Sequence, residues 1–279
     1  MPITYTPAIK GTAIDSAIKG KTSGMTGKSS KPAGRIMWET VFDLIYTDFD
    51  TVLAKAVHAY LNTGLVTFPP IPVPLTAFPV VFSFKSLAKK SAKIVDSTVK
   101  TKTSGMVGKS SKPAGKIMWE EFCTQLGKDI YNEYPKKVIQ ALDHCIPIVP
   151  SGVFSPPNVG NLSPLPPVYD GLKVNGLSSN LNTFFNTKIK KSGTNINSTV
   201  KAQCTGLVGN TGFKAGKITW DIVIEIMTPL IAAELTKATS LFLTTSVGAW
   251  KNPAGPGLPI TMAGPTPGSA NLPATIAIS

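Results

Sequence analysis

Histidine and cysteine are scarce in this chain, at two and three residues in 279. His58 and His144 lie far apart, each on a helical pattern, and a lone helical His is ordinarily a packing or surface residue. Cys123, Cys145 and Cys204 stand in three unrelated contexts with no C-x-x-C spacing. That excludes a recognisable zinc motif and a closed disulfide framework, and it fits a reducing compartment with each Cys as a small apolar side chain. Carboxylates are also few, 15 against 28 Lys and Arg. Glu120 and Glu121 are adjacent, but neighbouring helical residues point in different directions, so they do not face a common substrate. No catalytic residue, cofactor or metal is expected from these residue types, and the chain reads as a non-enzyme.

Long apolar runs able to cross a membrane are missing too. Residues 59–84 carry no charge, yet Pro69, Pro70, Pro72, Pro74 and Pro79 fall among them, a density no spanning helix tolerates. The start of the chain has no apolar signal core, because Lys10, Asp15 and Lys19 interrupt it. The expectation is a soluble protein made in a host cytoplasm. Charged residues amount to 15%, below the roughly 25% of ordinary soluble domains, while hydrophobic residues reach 42% and supply a core.

What the chain has is an internal repeat. Residues 21–39, KTSGMTGKSSKPAGRIMWE, and 102–120, KTSGMVGKSSKPAGKIMWE, differ only at Thr26/Val107 and Arg35/Lys116. A third copy, CTGLVGNTGFKAGKITWD, occupies 204–221, with Gly206, Gly209, Gly216, Lys217, Ile218 and Trp220 in register. Downstream of Trp38, Trp119 and Trp220, apolar residues recur at spacings of three and four, the stripe of a long amphipathic helix. Gly34, Gly115 and Gly216 mark the expected helix entrances. Glu39, Glu120 and Asp221 are expected in the first turn, where a carboxylate complements the helix dipole. Pro135 and Pro229 are expected to kink the second and third helices. Upstream of each loop lies a short basic helical stretch.

The predicted fold is mainly α: three pseudo-repeats of helix–Gly/Ser loop–long amphipathic helix joined by extended Pro-rich segments. Unit 1 covers 1–64, a connector 65–84, unit 2 covers 85–145, a connector 146–183, unit 3 covers 184–250, and a Pro/Gly-rich arm 251–279. The connectors and arm favour extended or polyproline conformations over elements of a compact domain. A short β-element is conceivable within 73–84 or 257–278.

Charge is segregated along the unit. Residues 10–35 hold six basic groups against Asp15, 85–116 nine against Asp96, and 188–217 six against none, while the long helices are mildly acidic. The loops invite comparison with a phosphate-binding P-loop. Thr22 and Thr103 stand where its first glycine belongs, Asn210 replaces the lysine in the third copy, and no hydrophobic strand precedes any of the loops. Nucleotide hydrolysis is therefore not expected.

Trp38, Trp119 and Trp220 read as packing anchors between loop and helix, with an interface hot spot as the alternative. Lys28, Lys31, Lys109, Lys112 and Lys217 are the candidate partner contacts. Core packing alone would not hold the polar letters of two loops constant while the helices behind them diverge; a recent partial duplication is the alternative, weakened because the letters diverge directly after Trp-Glu. The repeated GKSSKPAG-[RK]-IMW segments and the charge-free tail NPAGPGLPITMAGPTPGSANLPATIAIS resemble in style the virion components of tailed bacteriophages. That resemblance implies a structural, capsid-associated, neck, baseplate or tail role in the virion, by contact with other subunits of the same assembly. The alternative is a basic, non-specific nucleic-acid binder, since a net charge of +13 favours phosphate contact. Against it, the loops lack interleaved aromatics for base stacking. Membrane-surface attachment through 85–102 is disfavoured by the thin apolar face of that stretch, which carries Ala and Ser where Leu or Trp is needed.

Overall fold

The computed structural model describes residues 2–25, 30–68, 71–106, 112–142, 146–147, 168–170, 174–207, 213–245, 247–251 and 272–278. The described residues are mainly helical. Helix α1 spans Gly11–Thr22 and α2 Ser30–Asp48, which continues through a π-helical turn at Phe49–Leu53 into α3, Ala54–Leu61. A 3₁₀ turn at Phe84–Leu87 leads into α4, Ala88–Thr103, and α5 follows at Lys112–Leu142. Helix α6, Val174–Phe184, passes through a second π-helical turn, Phe185–Ile189, into α7, Lys190–Gln203, and α8 is Phe213–Thr245.

Each short helix stops for the same reason. Gly24, Gly105 and Gly206 have φ of 76°, 77° and 80°. That left-handed conformation is open to glycine and strained for residues with a Cβ, and it is the usual helix C-terminal reversal. The turn is closed by the amides of Met25, Met106 and Leu207, which donate to the carbonyls of Thr22, Thr103 and Cys204 at 3.1, 3.1 and 3.2 Å.

The helices then pack as a closed ring. Helix α1 touches α2, α2 touches α4, α4 touches α5, α5 touches α7, α7 touches α8, and α8 returns to α1. Short and long helices alternate round the circuit. Each short helix thus lies between its own long helix and that of another pair. Its inward face is narrow: Ile14, Val95 and Ile196 are fully or almost fully buried. Beside them sit small residues that let backbones approach. A Cβ on Gly11 would lie 2.5 Å from the Asp221 amide nitrogen, and one on Gly193 2.6 Å from the Glu120 Cα. Ala92, the buried residue in register on α4, occupies the same place.

The long helices turn their apolar stripes into the centre. Trp38 and Trp119 meet edge-on with ring centroids 6.4 Å apart, and Trp119 and Trp220 meet likewise at 5.6 Å. From there a column of aromatic contacts descends through Phe122, Phe42, Tyr46, Phe49 and Phe84 to Phe82 and Tyr134. Such pairs contribute about 0.5–1.5 kcal/mol each beyond the area they bury.

Beyond the C-terminal ends of the long helices lies an antiparallel sheet. Its strands are β1 (Gly64–Phe68), β2 (Ile71–Thr76), β3 (Ile146–Pro147), β4 (Val168–Asp170), β5 (Val247–Lys251) and β6 (Leu272–Ile278), in the order β3-β2-β1-β6-β5-β4. Strand β6 is central, with Val66 opposite Ile276 on one side and Trp250 opposite Leu272 on the other.

Several expectations are corrected. The segments 65–84, 146–183 and 251–279, read as connectors and arm, supply most of this sheet rather than staying outside any compact element. Residues 174–183, assigned to the second connector, are helix α6, with Leu177 and Leu181 buried in the core. The segment 77–84 is packed, with Ala77, Val80, Phe82 and Phe84 buried. Gly34, Gly115 and Gly216 are not helix entrances: α2, α5 and α8 begin at Ser30, Lys112 and Phe213, which places the glycines in their opening turns.

Candidate partner-binding face

The Trp contacts bring the N-terminal ends of α2, α5 and α8 together, so the Gly24, Gly105 and Gly206 turns surround one end of the ring. Three Asx side chains organise this end. Asp96 on α4 reaches over Gly34, where a Cβ would stand 3.1 Å from its Oδ1. Asn197 on α7 covers Gly115, with the corresponding distance 2.7 Å, and Asp15 on α1 covers Gly216. The glycines therefore leave room for a neighbouring helix's polar side chain, a role separate from helix entry.

Most described cations at this end are neutralised within the chain. Lys19 pairs with Asp15 and Lys100 with Asp96, both at 2.5 Å. Arg35 pairs with Glu39 at 2.5 Å, Lys116 with Glu120 at 3.7 Å, and Lys102 with Glu121 at 2.5 Å. The Asp221 carboxylate instead accepts the Gly11 amide at 3.0 Å, capping the start of α1 across the ring junction. Lys21 and Lys217 are exposed and form no ion pair among the described residues.

Lys28 and Lys109 lie outside the described residues. Lys31 and Lys112 belong to the first turns of α2 and α5. Lys217 is exposed one turn into α8. Trp38, Trp119 and Trp220 are 2%, 4% and 5% exposed, which leaves almost none of each ring for a partner to touch.

Deeper in the bundle two carboxylates tie the starts of short helices to long ones. Asp48 accepts the Tyr5 hydroxyl at 2.6 Å and the amides of Ala8 and Ile9 at 2.9 and 3.2 Å. Asp129, in register with Asp48, accepts from the Tyr46 hydroxyl, from Ser91 Oγ at 2.5 Å and from Gln125 Nε2 at 3.0 Å. Burial outweighs these donors and raises the Asp129 carboxyl above the ordinary carboxylate range. The hydroxyls of Tyr5 and Tyr46 are raised by burial and by the carboxylates they serve, and that of Tyr134 chiefly by burial. Burial likewise pushes the Cys123 thiol up to about 12. A thiol held that high is a packing group, not a nucleophile at neutral pH.

Among the described residues no three His, Cys, Asp or Glu side chains gather as metal ligands. No helix among them is long and apolar enough to cross a membrane. His58 bonds the Ala77 carbonyl at 3.1 Å and pins the 77–84 segment to α3, while Cys145 and His144 lie outside the described residues.

Sequence reasoning missed the Asx-over-glycine contacts and the Asp48/Asp129 tethers. The signal was present: Ile14-Asp15-Ser16, Val95-Asp96-Ser97 and Ile196-Asn197-Ser198 stand in register, extending the repeat one helix upstream of the loop. Comparison with protein families, curated proteins and solved structures returned no match.

Proposed function

We propose that the chain is a structural component of a large assembly, a tailed-bacteriophage virion, and that it holds other subunits through three pseudo-repeats of helix–Gly/Ser loop–long helix joined by Pro-rich segments. The observation that carries this reading is the closed ring. Contacts from Asp15 to Gly216, Asp96 to Gly34 and Asn197 to Gly115 are made at three junctions by residues in register. A single chain thereby takes the form of a cyclic trimer, and cyclic surfaces fit partners with matching rotational symmetry. The long helices satisfy one another, so their stripes need no partner. What remains for contact is the rim of turns at one end and the sheet region at the other. The strands of that sheet are charge-free apart from Asp170 and Lys251. No catalytic role is proposed, and no cofactor.

Particle association tests the reading. A tagged full-length chain should co-sediment with assembled particles at a fixed copy number. A well-behaved monomer missing from every particle fraction would rule it out.

The second reading, non-specific nucleic-acid binding, is favoured by the net charge of +13 and by exposed Lys21 and Lys217, which form no ion pair among the described residues. The internal ion pairs of Lys19, Arg35, Lys100, Lys102 and Lys116 weaken it, because phosphate contact must compete with carboxylates already in place. Duplex DNA binding that falls steeply with salt would support it, and no binding at low salt would remove it.

A further inference from the structure

Besides the rim and the sheet, the long helices carry one exposed feature in triplicate. In the matching runs from Trp38 to Leu61, Trp119 to Leu142 and Trp220 to Leu243, two positions after the tryptophan hold the same residue in all three copies. One is the closing leucine, which is fully buried in each copy. The other is Lys55, Lys136 and Lys237, exposed in each copy. The core keeps the leucine. It does not keep the lysine, because exposed positions away from special features are nearly neutral for stability.

The usual internal reasons for a fixed lysine fail here. None of the three forms an ion pair among the described residues. Three residues back stand Val52, Glu133 and Glu234. The first offers no carboxylate, Glu133 accepts the Ser83 amide at 2.9 Å, and Glu234 pairs with Lys188. The helix dipole does not select the position either, since each lysine lies more than a turn before the end of its helix, where the effect has faded. Solubility depends on how much charge the surface carries, not on one fixed place for it. Lys19, Lys100 and Lys201 are also kept in register, but Asp15 and Asp96 pair the first two inside the chain.

We infer that Lys55, Lys136 and Lys237 are one contact made three times, met by carboxylates that line a protein ring enclosing the bundle at this level. The inference rests on the structural-component reading above and adds a face and the chemistry of its partner. The long helices turn their apolar stripes to a common centre, so the lysines on their outer sides face away from one another. A partner against one side reaches one lysine, whereas a partner around the bundle reaches all three. Rotational symmetry is what repeats a carboxylate at equivalent points about an axis. Duplex DNA, stiff over about 150 base pairs, does not wrap a single bundle unaided. One helical turn to either side of each lysine the surface is exposed and uncharged: Thr51 and Ala59, Asn132 and Gln140, Ala233 and Leu241. A carboxylate can approach there without meeting a like charge.

The test uses particles assembled without this chain, incubated with purified full-length protein and sedimented. Lys55→Glu/Lys136→Glu/Lys237→Glu is compared with Lys85→Glu/Lys93→Glu/Lys128→Glu, exposed lysines whose register positions in the other two copies hold no basic residue. A third variant, Lys55→Met/Lys136→Met/Lys237→Met, removes the charges and keeps the aliphatic stems. The Glu triple should bind at least about tenfold more weakly, since like charges set face to face are strongly unfavourable. The Met triple should weaken binding too, each single reversal should lower it by a similar step, and the control should match the unaltered chain. All should keep the same melting midpoint. If the Glu triple sediments like the unaltered chain, or the Met triple loses nothing, this inference fails while the structural reading stands. If one single reversal accounts for the whole loss, the partner touches one side and the enclosing ring is overturned. If the unaltered chain does not sediment, the structural reading fails and this inference falls with it. If the Glu triple keeps particle binding and loses affinity only for duplex DNA at low salt, the lysines meet phosphate and the protein-carboxylate assignment is overturned.

Discussion

Gly193 of α7 lies so close to Glu120 of α5 that a Cβ at position 193 would stand 2.6 Å from the Glu120 Cα. Backbone cannot swing aside as a flexible side chain can. Gly193→Ala is therefore expected to force α7 off α5 and to destabilise the fold by about 1–3 kcal/mol, an overpacking cost that exceeds the helix-propensity gain. Gly20→Ala, on the exposed face of α1 with nothing near its added Cβ, should instead stabilise by up to about 1 kcal/mol. Urea unfolding of both variants checks the pair, and similar effects in both would contradict the close packing.

Replacing Gly105 by Ala tests conformation without crowding, since no atom lies within 4 Å of the added Cβ. The left-handed φ alone should cost about 1–2 kcal/mol. Gly24→Ala and Gly206→Ala should cost similar amounts, and the double variant at 24 and 105 should approach their sum, as independent sites do. Thermal or chemical denaturation gives the readout.

Asp129 binds its proton more tightly in the folded protein than in the unfolded chain, because its carboxyl is raised by burial. Its stabilising contribution is therefore fully present at acidic pH, below the unfolded carboxylate range, and is lost as pH rises through the raised folded value. Asp129→Asn should flatten this slope of stability against pH; its single oxygen can accept from Tyr46 and Ser91, while Gln125 must turn its amide to accept from the new NH2. Asp129→Ala strands those groups and should cost about 1–3 kcal/mol for each one left buried and unpaired. Unfolding free energies measured from pH 4 to 8 separate the two.

Trp119 touches both Trp38 and Trp220. Trp119→Ala should cost about 3–5 kcal/mol, the range for removing a buried aromatic. Trp119→Phe should be milder. Folded, soluble Trp119→Ala protein of normal stability that fails to join particles would reassign the residue to the interface.

A native-state thiol assay should leave Cys123 unmodified at pH 8, since its thiol lies near 12 and is buried. In a Cys145→Ser/Cys204→Ser background, labelling should appear only on denaturant unfolding.

The long helices were legible because their stripes of Val, Phe, Ile and Leu recur at three and four. The turns were legible because each holds a glycine in register with the others. The order of helices round the ring was hidden. Short helices dock through Gly11, Ala92 and Gly193, small residues that a search for bulky apolar stripes passes over. The sheet was hidden by its prolines. Pro72 and Pro74 are two residues apart in β2, so their missing amides point to one edge of the strand, which a sheet accommodates where a helix would not. Of the candidate contact lysines, Lys28 and Lys109 lie outside the described residues, and the register of Asp15, Asp96 and Asn197 within the short upstream helices gave no sign of what they touch. Those side chains look like solvated helix surface until the neighbouring helix is known.

Ring closure between α1 and α8 sets a schedule for synthesis. Synthesis completes α1 long before α8, the last-made of the two long helices it rests against. Until α8 is made, Ile14 lacks that wall of its pocket and the Gly11 amide lacks the Asp221 carboxylate that receives it. The nascent chain therefore carries an open seam between α1 and α8 until α8 is made, and a contact of such long sequence separation is slow to form.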